Sequence, residues 1–69
     1  MYEKLKSKIK EVCGTDLAFA ESMGMTRSAL SHKLRGERGW STDQLWRAMD
    51  VLRITPEEVV DMFLREEDE

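Results

Sequence analysis

Residues 15–36 read TDLAFAESMGMTRSALSHKLRG. The stretch holds two short runs of helix formers, and each is preceded by a threonine of the kind that caps a helix N-terminus. Thr15 opens the first run, 16–23, and Thr26 opens the second, 27–35. Gly24 ends the first run and can adopt the positive φ that a sharp reversal requires. Ala20, four residues earlier, is small enough to let two helices approach closely. Met25 and Leu30 occupy the two positions of a hydrophobic staple across Thr26. The spacing predicts two helices joined by a tight turn, an arrangement in which the second helix can enter the major groove of DNA.

The flanking sequence extends the helical pattern in both directions. Leu5, Ile9 and Val12 share one face of a first helix, with Tyr2 one turn earlier. Lys4, Lys6, Lys8 and Lys10 alternate as in a strand, but a strand would place Leu5, Ser7, Ile9 and Glu11 on one face, a poor core stripe. Downstream, Ser41 with Gln44 and Thr55 with Glu58 form two capping boxes, the second with Pro56 at the first helical position. Trp40 with Leu45, and Ile54 with Val59, complete two more staples. Five helices are therefore expected, near 2–12, 16–23, 27–35, 42–52 and 56–66, in an all-α fold. Trp46 is expected to pack in the core or at its rim, with Leu45, Met49 and Leu52. The acidic end, 66–69, is expected to fray.

Composition narrows the function. A chain of 69 residues with net charge −3 makes one small domain over 1–69. No apolar run approaches the roughly 20 residues of a membrane span, and no signal-peptide pattern opens the chain. One Cys and one His supply too few ligands for a metal site and no internal disulfide. An intracellular, cytoplasmic compartment is expected, with no cofactor, no metal and no small-molecule substrate. Ser28, Ser31 and His32 suggest a nucleophile and base, yet His32 directly follows Ser31 and no acid is expected to orient it, so an enzyme is not expected.

The pattern A-x-x-x-G-M-T-x-x-x-L over 20–30, the G-E-R-G at 36–39 and the five-helix layout resemble the Cro/CI-type (lambda-repressor-like, XRE) helix-turn-helix family. The likeness is strongest to its small phage-associated regulators and covers roughly residues 4–64. It implies a compact five-helix DNA-binding domain whose second motif helix reads base edges. It departs from the family at Lys33, where an apolar residue is usual, and at Leu34, where glutamate is frequent. Ile9 stands near the place of that glutamate's usual polar partner, so an apolar contact between Ile9 and Leu34 is expected instead.

Carried over position by position, the resemblance implies base contacts from Arg27, Ser28, Ser31, His32 and Arg35, one continuous stripe of the second motif helix. Arg27 is the foremost candidate, because its guanidinium fork fits guanine O6 and N7. Phosphate contacts are expected from the helix N-termini at Thr15 and Thr26, from Lys33 and Arg38, and from the backbone at Gly36 and Gly39. Trp40 is a further candidate for the sugar-phosphate, although its staple with Leu45 is the stronger use. Asp16 is unhelpful beside a phosphate and serves the helix dipole instead.

Charge supports the same face. Residues 25–40 carry Arg27, Lys33, Arg35 and Arg38 against Glu37 alone, net +3. From 41 onward Arg47, Arg53 and Arg65 stand against nine acids, net −6. The final helix, with Val59, Val60, Met62, Phe63 and Leu64, holds more apolar surface than one core stripe needs, and the excess is expected either to cap a core or to form a self-complementary dimer patch. The expected function is a sequence-specific transcriptional regulator, a Cro-like repressor binding a double-stranded operator as a homodimer. The competing expectation is a protein-interaction module on the same fold, antirepressor-like or antitoxin-like, motivated by the acidic C-terminal half and Asp16.

Overall fold

The computed structural model describes residues 2–65, which form five helical segments and, among the described residues, no strand. They are α1 (Glu3–Val12), α2 (Asp16–Met23), α3 (Arg27–Leu34), α4 (Thr42–Leu52) and α5 (Pro56–Val59). α5 continues without a break as a π-helical stretch, Val60–Arg65. The fifth helix is thus present where the sequence predicts it, but its winding loosens after one turn. The end expected to fray, 66–69, lies outside the described residues.

Local capping chemistry sets the boundaries. The hydroxyls of Thr15 and Thr26 accept hydrogen bonds from the amides of Ala18 and Ala29 at 3.1 and 3.0 Å. Ser41 and Thr55 close reciprocal boxes with Gln44 and Glu58. Each such cap is worth about 1 kcal/mol. At the opposite end of α2, Gly24 takes φ +73°, and the Met25 amide reaches back to the Ala20 carbonyl at 3.0 Å. The chain can then reverse within three residues.

The core gathers Tyr2, Leu5, Ile9, Phe19, Ala20, Leu30, Leu34, Ala48, Leu52, Ile54, Val59 and Phe63 with Met23 and Met62. Ala20 is fully buried, as its place beside the turn requires. Ile9 and Leu34 both lie in this core, with no charged group buried among the described residues. Tyr2 caps α1 from a left-handed conformation rather than as a helical residue.

Two positions expected in the core or at its rim face solvent. Trp46 is 63% exposed, because the buried stripe of α4 runs through Ala48 and Leu52 and the 100° step from Leu45 carries Trp46 off it. Val12 is 41% exposed; the chain turns away at Gly14, and Cys13 leans on the core in its stead. Partial burial pushes the Cys13 thiol pKa up.

The surplus apolar surface of the last helix also divides. Val59, Met62 and Phe63 are buried within the domain, whereas Val60 and Leu64 face outward. No helix among the described residues is long and apolar enough to cross a membrane.

Candidate nucleic-acid interface

α3 is held from behind by Leu30 and Leu34, and its other side faces solvent. Arg27 and Ser28 in the first turn are exposed, and Arg27 forms no ion pair among the described residues. Ser31 is half-buried one turn on. Arg38, in the loop that follows, is exposed and likewise outside the ion pairs of the described residues. At the N-termini of α2 and α3, Thr15 and Thr26 use their oxygens as acceptors, which leaves each hydroxyl proton free to donate outward. Asp16 sits in the first turn of α2, where a carboxylate complements the helix dipole.

The far end of α3 is more organised than the sequence suggests. α3 ends at Arg35 and Gly36, the latter at φ +79°, and the amides of Gly36 and Glu37 bond back to the carbonyls of Lys33 and His32. This double closure brings the residue after the glycine alongside the residue five before it. Here those residues are Glu37 and His32, and their side chains meet. His32 Nδ1 lies 2.6 Å from Glu37 Oε1, and Arg35 Nε donates to Glu37 Oε2 at 2.9 Å. The hydrogen bond from His32, and then that from Arg35, holds the Glu37 carboxyl below the usual carboxylate range.

This cluster corrects two expectations. His32 does have an acid against it, although no serine hydroxyl hydrogen-bonds its ring among the described residues. The Gly36 amide is spent on Lys33 and is not available to a phosphate. In the sequence Glu37 stands out only as part of G-E-R-G and as the one acid among the basic residues of 25–40. The signal lies in the order His-x-x-x-Gly-Glu, in which a glycine closing the helix folds the following residue back onto the last turn.

Two further candidates point inward. Lys33 donates to the Gly39 carbonyl at 2.9 Å and lies 5.4 Å from the centre of the Trp40 ring. Trp40 packs edge-on against Phe63 and Tyr2, at 4.8 and 6.4 Å between ring centres. Its Nε1 is buried with no hydrogen-bond acceptor among the described residues, so Trp40 is a packing residue and offers no donor to a phosphate. Gly39 is exposed, and a Cβ built there would meet nothing within 4 Å.

Three of the four lysines of α1 are also engaged. Lys4 ties α1 to Asp61 at 2.8 Å, and Lys6 and Lys8 pair with Glu3 and Glu11. An open groove of about 240 Å³, lined by Met23, Gly24, Asp43, Gln44 and Arg47, lies between the end of α2 and the start of α4. It takes in none of the predicted contact residues.

No curated protein shows significant similarity to the chain. A family model does match it over residues 1–66, almost from end to end, and by that match the chain belongs to the DUF739 family, described as proteins of unknown function.

Proposed function

We propose that this protein is a sequence-specific, DNA-binding transcriptional regulator of the Cro/CI helix-turn-helix type. In this proposal α3 enters the major groove of an operator, and a cytoplasmic homodimer occupies two half-sites. The observation that carries it is the face of α3. Arg27 stands exposed and unpaired one turn from the Gly24 reversal, on a helix anchored from behind by Leu30 and Leu34. An arginine so placed is free to fork onto a guanine. Thr15, Thr26 and Arg38 would position the domain on the backbone, and Ser28 and Ser31 would read less sharply. The exposed Val60 and Leu64 remain for a dimer contact, a smaller patch than the whole final helix.

Net charge sets the expected binding regime. A chain of −3 whose basic residues are partly tied internally binds non-specific DNA weakly, with a shallow salt slope. Titrating the purified protein against a random duplex at low and moderate salt tests the reading. Salt-sensitive binding supports it, and no binding even at low salt rejects it.

One observation favours a second reading, the protein-interaction module. Trp46 is 63% exposed on α4, flanked along the helix by Asp43 and Asp50, and exposed tryptophans are enriched at protein interfaces. Loss of a partner on Trp46→Ala, without any duplex binding, would select that reading.

A further inference from the structure

The Glu37 cluster lies at the end of the proposed reading helix and has chemistry of its own. A carboxylate accepts hydrogen bonds and donates none, so at 2.6 Å His32 Nδ1 must carry the proton that lies between them. Arg35 Nη2 also approaches that nitrogen, at 3.3 Å, but the shorter contact decides where the Nδ1 hydrogen points. In the neutral imidazole the other nitrogen, Nε2, is then an acceptor. It has no hydrogen-bond partner among the described residues, and the His32 side chain is 38% exposed. Arg35 spends its Nε–H on Glu37, which leaves the paired N–H groups of its Nη1 and Nη2 end. Glu37 thus sets an acceptor and a double donor side by side, within one turn of α3.

We infer that Glu37 is a positioning residue that fits the last turn of α3 to one G·C base pair, with His32 Nε2 accepting from cytosine N4 and Arg35 donating to guanine O6 and N7. The fit follows from the groove itself. A G·C pair presents two acceptors and, across its own hydrogen bond, one donor on its major-groove edge. The two side chains lie against one another, with Arg35 Nη2 3.3 Å from His32 Nδ1, so both can address the same base pair. A reversed tautomer would place a donor at His32 Nε2 and repel the cytosine amine. The Glu37 carboxylate keeps its negative charge while bonded to His32 and Arg35 and repels phosphate, so Glu37 lowers affinity for every duplex while sharpening the choice among them. This inference rests on the DNA-binding reading.

The test uses the intact chain. Nitrogen-15 spectra of His32 under mildly alkaline conditions should show the Nδ1–H tautomer in the wild type and a mixture in Glu37→Ala. Selection from a random duplex library should then yield one G·C position whose preference is lost in both His32→Ala and Arg35→Ala. At that position Glu37→Ala should lower discrimination roughly tenfold or more, while its affinity for a non-specific duplex rises. Glu37→Gln, which keeps the shape and drops the charge, should fall between the two. An Nε2–H tautomer in the wild type, unchanged discrimination in Glu37→Ala, or preferences of His32 and Arg35 at different base pairs would overturn the inference and leave DNA binding intact. No binding to any duplex at low salt would overturn both together.

Discussion

Glu37 and His32 stand 2.6 Å apart across the glycine that ends α3, one carboxylate oxygen against one ring nitrogen. The contact is local in sequence but depends on a backbone that doubles back at Gly36. It converts what charge counting treats as a stray acid into an organiser of two basic side chains.

Because the Glu37 carboxyl is held below the usual range, its contribution to stability has a defined sign. The stabilisation is fully present above the unfolded carboxyl pKa, about 4.3, and is lost as pH falls through the lower folded value. The difference in thermal midpoint between the wild type and Glu37→Gln should therefore shrink on acidification below about pH 4. A difference that grows with acid would contradict the cluster.

Gly24 carries a conformational demand without a steric one. Its φ is +73° and an added Cβ would meet nothing within 4 Å, so Gly24→Ala should cost only the left-handed backbone penalty, about 1–2 kcal/mol. Urea unfolding measures it. A neutral or stabilising Gly24→Ala would mean that the turn does not need this conformation.

Arg53 ends α4 at φ +56°, where a glycine is ordinarily favoured. Arg53→Gly should leave stability unchanged or raise it by up to about 1 kcal/mol. Loss of more than that in urea would show that the arginine side chain makes a compensating contact.

The buried, unpaired Nε1 of Trp40 predicts an asymmetry between two truncations. Trp40→Ala removes the rings that meet Phe63 and Tyr2 and should cost about 3–5 kcal/mol. Trp40→Phe also removes a donor whose burial costs about 1–3 kcal/mol, so its net effect should be far smaller. Equal losses would mean that the nitrogen is satisfied in solution.

What was legible in the sequence is what neighbouring residues decide. The four Ser/Thr caps, the two boxes and the positive φ of Gly24 follow from side chains within four residues of one another. Trp46 and Val12 show where that logic ends. Each lies near an apolar stripe, and periodicity alone does not say where the stripe's edge meets solvent. Trp40 and Lys33 meet the same limit: the ring partners of Trp40, Tyr2 and Phe63, come from elsewhere in the fold, and Lys33 reaches the Gly39 carbonyl across the loop after α3. The π-helical winding after Val59 left no mark in the pattern.

The central claim is that the exposed side of α3 reads a duplex, and Arg27 tests it with least ambiguity. It is exposed and outside every ion pair of the described residues, so Arg27→Ala should leave the thermal midpoint nearly unchanged. Duplexes selected by the wild type from genomic fragments, then footprinted with both proteins, supply the measurement. The account predicts a protected half-site with the wild type and none with Arg27→Ala at the same concentration. An identical footprint from the folded variant would contradict it.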